Sequence, residues 1–402
     1  MSAVEDQGPR LTILGKLFLL VFMGACGFGA WWLITKRGSE DPGTGKPKTG
    51  EVDPKPTGKK TELRIAYGTE KKNWLKWAVE EFEATKEGKD IQVTLIPMGS
   101  LEGARATVKG EEEIHVWSPA SSAYRDVFVT DWQLEHSGNP IAREETLALS
   151  PMVFVMWKER YDAFVSQYNA LDFETLSEAM VAPGGWNDIA QKPEWGFFKF
   201  GHTNPTQSNS GLISLTLMAH HYYDKTTPLE AQDIVNAPFQ TWLKQIEGSV
   251  SGLINSTGNM MRDMVLKGPA SYDVVLVYEN LAIDYLKNAE GRWGQLYVVY
   301  PKINLWNDNP YYIIDAPWVE KNEKKAAETF LEFLMSEPIQ QQSLVHGFRP
   351  GNPSVPVIGP ESPFEKYKKY GLQIAIDTIA EPPRADAINN LLTGWQRLRS
   401  SQ

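Results

Sequence analysis

From Thr61 onward the chain alternates short β-rich runs with helical patterns, and this rhythm restricts the fold more than any other feature of the sequence. "LRIAY" (63–67) reads as a buried strand, and residues 73–83 place Trp74, Leu75, Ala78, Val79 and Phe82 on one helical face. "IQVTLIP" is a second strand, a small amphipathic helix follows Gly99-Ser100, and "EIHVWSP" is a third strand. Such βαβ alternation predicts an α/β protein of open, mostly parallel sheets flanked by helices. Sheets of this kind bind ligands in crevices outside the carboxyl ends of their strands.

Small hydrogen-bonding residues gather at those carboxyl ends. After strand one comes Gly68-Thr69, after strand two Gly99-Ser100, and after strand three "SPASSAY", which carries Ser118 and Ser121. Further on, "FGHTNPTQSNSGLISL" (200–215) joins a strand read in "WGFFKF" to a helix with Leu212, Leu215, Ala219 and Tyr222 on one face. "LINSTGNMM" and "YDVVLVYENLAIDYL" repeat the arrangement with Ser256-Thr257-Gly258 and Tyr278-Glu279. A helix N-terminus exposes unpaired N–H groups, and Ser or Asn there either caps the helix or shares those donors with a ligand. Ser208 and Ser210 read both ways, and Gly211 is expected to let a ligand approach the backbone.

Composition excludes several function classes. The net charge is −10, and no basic block lies outside the N-terminal 60 residues, so the clustered cations of a nucleic-acid surface are missing. The sole cysteine, Cys26, allows neither an internal disulfide nor a Cys-based zinc site. Stability must come from packing, to which fourteen Trp, fifteen Tyr and sixteen Phe contribute. The sequence contains no HExxH, no G-x-S-x-G and no Walker A; "GTGK" (43–46) has Glu40 where the first glycine of a phosphate loop belongs. His220 and His221 are adjacent and point about 100° apart on a helix, so they make no chelating pair. His202 lies in the polar loop, where a binding role, or a weaker hydrolase reading with a nearby Ser, stays open. Neither a cofactor nor a metal is called for.

Residues 17–34, "LFLLVFMGACGFGAWWLI", form an uncharged run of eighteen, about 27 Å of helix at about 1.5 Å per residue. Trp31 and Trp32 sit where an aromatic belt would lie. The run continues past Gly24-Ala25, which favours an uncleaved membrane anchor over a signal peptide. "MGAC" ending at Cys26 resembles a poor lipoprotein box, the alternative processing. Arg10 and Lys16 before the run balance Lys36 and Arg37 after it, so charge leaves the orientation open. Residues 38–60, dense in Pro, Gly and Lys, form a tether with a reach on the order of 25 Å.

"HVWSPASSAY", "LALSPMVFVMW", "FKFGHTNPTQSNSGL", "INSTG", "YDVVLVYENL" and the long segment from "APWVEKNEKKAAETFLEFLM" to "GFRPGNPSV" together resemble the bacterial extracellular solute-binding proteins with the type II periplasmic-binding fold. Within that family the chain looks like the branch associated with von Willebrand factor A domains. The resemblance spans roughly residues 61–402 and implies a two-lobed architecture crossed twice, near 147–157 and 311–319. Together with the apolar run and the linker read above, it divides the chain into a cytoplasmic segment and anchor (1–36), a linker (37–60), lobe one (61–149 and 308–402) and lobe two (150–307). Carried over motif by motif, it implies ligand contacts from Thr69, Ser100, Ser118 and Ser121 in lobe one. In lobe two it implies Ser208, Ser210, Gly211, Thr257 and Tyr278. It further implies a non-enzymatic, extracytoplasmic binding protein at the cytoplasmic membrane, closing by hinge rotation on a small polar solute. Its partner would be an ABC-type permease, a sensing assembly or a von Willebrand factor A domain protein. An adhesion or scaffold module is the alternative. Neutral donors at helix N-termini suit a small oxyanion. Glu279 opposes a dianion if its carboxylate faces the cleft, and does not if it is paired with Lys or Arg.

Overall fold

The computed structural model describes residues 60–289 and 291–400, and the anchor and tether expected over 17–34 and 37–60 lie outside them apart from Lys60. Among the described residues no helix is long and apolar enough to cross a membrane.

Among the described residues, eleven strands form two sheets: β1 (Thr61–Tyr67), β2 (Ile91–Pro97), β3 (Val116–Ser118), β4 (Ile141–Thr146), β5 (Ala148–Trp157), β6 (Phe200–Gly201), β7 (Val274–Tyr278), β8 (Leu296–Val299), β9 (Trp306–Asn307), β10 (Pro310–Ile314) and β11 (Arg349–Pro350). The first sheet has the order β2-β1-β3-β10-β4, with β1 parallel to β2 and β3 and β10 antiparallel to its neighbours. The second has the order β11-β5-β7-β6, with β8 and β9 also paired to β5. Only β6 and β7 pair in parallel there, so this sheet is mixed where a mostly parallel one was expected. The cause is β5, which enters straight from the first sheet and runs against the strands it meets.

Apolar patterning produces these layers. Trp74, Leu75, Ala78 and Phe82 of the Lys72–Ala84 helix are buried against β1, and Val79 is half-buried. Ala326, Ala327, Phe330, Leu331 and Leu334 of the Lys321–Leu334 helix cover the same core. In the second lobe the Asn209–Tyr223 helix is buried from Asn209 to His220, because it is sandwiched between layers. "WGFFKF" is not a strand; the backbone turns at Gly196, with φ of +72°, and Lys199 N donates to the Asp273 carboxylate at 2.6 Å. Extended pairing begins only at Phe200.

The chain leaves the first sheet after Thr146, returns from β9 to β10, and then passes to the second sheet again at β11. Two passages were expected, with all of 308–402 in the first lobe. Instead Phe364, Tyr370, Leu372, Ala387, Leu391 and Trp395 join the second lobe's core. The last helix, Ala385–Ser400, has two apolar edges that explain this: Ile388 meets the cluster around Trp117, and Trp395 donates to buried Glu247 at 2.6 Å.

That contact belongs to a buried polar group. His202 Nε2 lies 2.9 Å from Glu247 Oε1, and its Nδ1 lies 2.8 Å from Thr203 O. Burial alone would lower the His202 imidazolium pKa, but the Glu247 charge and both hydrogen bonds outweigh it and raise the value. A raised folded-state pKa gives stability that is complete below the unfolded value of about 6.5 and is lost as pH rises through the folded value. The melting temperature of wild type relative to His202→Gln is therefore expected to be highest below pH 6.5 and to shrink above it. A difference independent of pH from 5.5 to 9 would contradict the assignment.

Candidate ligand-binding site

The carboxyl ends of β1 and β2 and the starts of several helices surround one cleft of about 810 Å³. Gly68 N donates to Ser118 O at 3.0 Å, holding the ends of β1 and β3 together, and the Thr69–Lys71 turn follows. Past β2, Gly99 caps the Ser100–Val108 helix, and the Glu102 carboxylate accepts from Gly99 N at 3.1 Å. Ser100 Oγ accepts from Ala120 N at 3.1 Å, which leaves its own proton to donate.

Across the cleft, the Asn209–Tyr223 helix starts after Ser208, whose side chain makes no capping bond. The Thr257–Lys267 helix starts after Ser256, whose hydroxyl accepts from Asn259 N at 3.4 Å. Three helices thus direct their first turns at one space, each carrying unpaired N–H groups and positive partial charge. Tyr278, at the end of β7, adds a phenol that burial, and then the charge of Glu70, push well above its ordinary pKa, so it remains a donor.

Of the residues expected to bind, Thr69, Ser100, Ser208, Thr257 and Tyr278 line this cleft. Five others do not. Ser118 is buried beneath Gly68 and Ser100, its hydroxyl without a hydrogen-bond partner. Ser121 caps the turn Ser122–Tyr124 by accepting from Ala123 N at 3.2 Å. Ser210 Oγ is fully buried at 2.6 Å from both Thr203 Oγ1 and Thr257 Oγ1, and 3.2 Å from Ser208 Oγ. Gly211 faces its own loop, for a Cβ there would stand 2.3 Å from Thr203 O, so it permits close chain packing and not ligand approach. Glu279 is buried and bonded to Arg349 at 2.8 Å through each oxygen, away from the cleft wall. The objection that Glu279 raised against an anion therefore falls. His202 has both ring nitrogens engaged and is buried, which removes it as a base for a cleft serine.

Replacing Ser210 with Ala breaks the Thr203–Ser210–Thr257 hydroxyl chain inside the protein. The expected cost is about 1–3 kcal/mol in urea unfolding, with ligand affinity changed only through Thr257. An unchanged midpoint with a tenfold loss of affinity would place Ser210 on the ligand instead.

Sequence reasoning missed Glu70 and Asn209. Glu70 lines the cleft and accepts from the Lys71 ammonium at 2.6 Å, and that buried ammonium also donates to Pro119 O at 3.0 Å and Asn309 Oδ1 at 3.1 Å. Asn209 also lines it, opening a largely buried helix between Ser208 and Ser210. A polar side chain at that first helical position was the available signal.

A family model described as bacterial extracellular solute-binding protein matches residues 63–349, well over half of the chain. No curated protein matches. Among solved structures, the chain is similar to the sulfate-binding protein SubI from Mycobacterium tuberculosis H37Rv, at 15% identity and TM-score 0.55, covering 85% of this chain and 99% of that one. It is similar to the ferric binding protein from Campylobacter jejuni at 13% identity and TM-score 0.54, covering 84% and 97%. A periplasmic thiamin binding protein aligns at 13% identity and TM-score 0.57, covering 87% and 99%. At these identities the likeness carries the two-lobed fold and no ligand.

Proposed function

The chain belongs to the bacterial extracellular solute-binding proteins, and on that premise we propose that it captures a small oxyanion-bearing solute between its lobes and delivers it to an ABC-type permease. The observation that carries the reading is the convergence of three helix N-termini and the hydroxyls of Thr69, Ser100, Ser208, Thr257 and Tyr278 on one cleft. Partial positive charges and neutral donors suit an anion, and Arg105 and Lys109 stand on the same lining together with Glu70, Glu102 and Glu111.

In this reading lobe one is 61–146 with the strand and helices of 310–345. Lobe two is 148–307 with the tail from 349, and the lobes close by rotation about the β4–β5 and β9–β10 passages. Residues 17–34 anchor the chain in the cytoplasmic membrane as a single pass, 37–60 tether it, and the binding domain works on the extracytoplasmic side. A von Willebrand factor A domain protein is a further candidate partner. Sedimentation after carbonate washing tests the anchor; a soluble chain with an intact N-terminus would refute it.

A thermal-shift screen of phosphate, sulfate, molybdate, phosphate esters, amino acids, sugars and thiamin tests the ligand class, because a ligand at 100 times its Kd stabilises by about 2.7 kcal/mol. Oxyanions are expected to raise the melting temperature. A response to amino acids or free sugars and to no oxyanion would overturn the class.

A further inference from the structure

We infer that Lys71 is a positioning residue for lobe closure: its buried ammonium, together with the Asp308 carboxylate, fastens the Asn307-Asp308-Asn309 passage to lobe one, so that rotation is taken up at the step from Asn307 to Asp308. The inference rests on the capture of a solute between lobes proposed above, and on no particular ligand class.

The carrying observation is how three consecutive polar side chains divide between the lobes. Asn307 belongs to lobe two. It pairs with Ser150 in the β5–β9 ladder, its Nδ2 donates to Ser150 O at 3.0 Å, and its Oδ1 accepts from Asn209 Nδ2 at 3.0 Å. The next two residues are held by lobe one. Asp308 Oδ1 accepts from Ser122 N at 2.7 Å, Asn309 N donates to Ala120 O at 3.1 Å, and Asn309 Oδ1 accepts from the Lys71 ammonium at 3.1 Å. The chain thus changes lobes within one peptide step, beside Asn309 at φ of +40°, a backbone region that Asn tolerates better than most residues. Hinges absorb their φ/ψ change at a few such positions.

Asn309 also ties the other passage to this one. Its Nδ2 donates to Ala148 O at 3.3 Å, and its carbonyl accepts from Leu147 N at 3.3 Å, where β4 gives way to β5. Whatever fixes Asn309 therefore fixes both passages. Lys71 is fully buried, and burial lowers its pKa against the opposing pull of Glu70. Its three ammonium protons are all engaged, by Glu70 Oε1 at 2.6 Å, Pro119 O at 3.0 Å and Asn309 Oδ1. Stability alone does not call for such a group, since well-packed apolar side chains in place of a buried ion pair are often as stable. What the ammonium adds is a single geometry for the loop ends of lobe one and the two passages. The same turn meets lobe two directly, for Glu70 O accepts from Asn280 Nδ2 at 3.2 Å.

Pulsed electron resonance on the full chain, with spin labels at Lys86→Cys and Lys244→Cys and Cys26→Ser in the background, reads the distance between lobes without ligand. Lys71→Met keeps most of the side-chain length and removes the ammonium. It is expected to widen the distance distribution about twofold, because a constraint shared by both passages is lost and more lobe arrangements are populated. Asp308→Ala cuts the neighbouring fastening at a half-buried residue and should widen the distribution in the same direction. Should Lys71→Met not fold, Asp308→Ala decides. A merely structural role for Lys71 predicts a lowered melting temperature with the wild-type width, and that result overturns the inference. So does a wild-type width in Asp308→Ala. Neither result touches capture between lobes, which fails separately if no ligand shortens the wild-type distance.

Discussion

Arg349→Ala is expected to destabilise the fold by about 3–5 kcal/mol, the cost of removing one partner of a buried ion pair. Arg349 donates to Glu279 Oε2 and Oε1 at 2.8 Å each and to Gln373 O at 2.8 Å. Its guanidinium lies 4.8 Å from the Phe364 ring centroid and 5.6 Å from that of Trp306. Burial pushes the Glu279 carboxyl pKa up, and the Arg349 hydrogen bonds and charge oppose that push. Without the guanidinium, Glu279 keeps only the Tyr300 hydroxyl and the helix start it occupies. Pairing the substitution with Glu279→Gln should recover a substantial part of the loss, because no charge is then stranded. Urea unfolding of both variants measures this. A cost for Arg349→Ala below about 1 kcal/mol would show that the pair is solvated. Because Arg349 belongs to the third passage of the chain, the variant should also loosen the tail that follows it.

Gly211→Val is the second large effect. The first β-carbon alone would lie 2.3 Å from Thr203 O, 2.7 Å from Pro205 N and 2.8 Å from Asn204 C, all of them backbone atoms. Backbone does not yield as a flexible side-chain end does, so the loop 203–208 must move away from the helix it introduces. The expected cost is about 3 kcal/mol or more, read as a lowered melting temperature before any ligand is added. This replaces the sequence-based expectation that Gly211 lets a ligand approach the backbone. A variant of wild-type stability that fails to bind would restore the original assignment.

These two residues mark where the sequence was legible and where it was not. Periodicity located the helix around Trp74 and Phe82 because one of its faces meets one core. It also placed Thr69, Ser100, Ser208, Thr257 and Tyr278 at strand and helix ends, where backbone geometry alone brings them to the cleft. What no local pattern contains is the far partner. Glu279 and Arg349 are 70 positions apart, and Ser210 and Thr257 are 47 apart. A serine, glycine or glutamate at a helix start looks the same whether it faces ligand or the neighbouring chain. The tail was misplaced for the same reason, since Leu391 and Trp395 make an apolar edge that either lobe could have covered.

The central claim is that the two lobes close on a solute, and the structure gives the point where their walls already approach: a Cβ on Gly99 would stand 2.8 Å from Gln207 O across the cleft. Spin labels on exposed Lys86→Cys in the first lobe and Lys244→Cys in the second, with Cys26→Ser in the background, report the separation by pulsed electron resonance. Saturating phosphate, or whichever oxyanion gives the largest thermal shift, is expected to shorten the inter-label distance and narrow its distribution. A distribution unchanged at a concentration that fully shifts the melting temperature would contradict closure, and with it the account of capture between lobes.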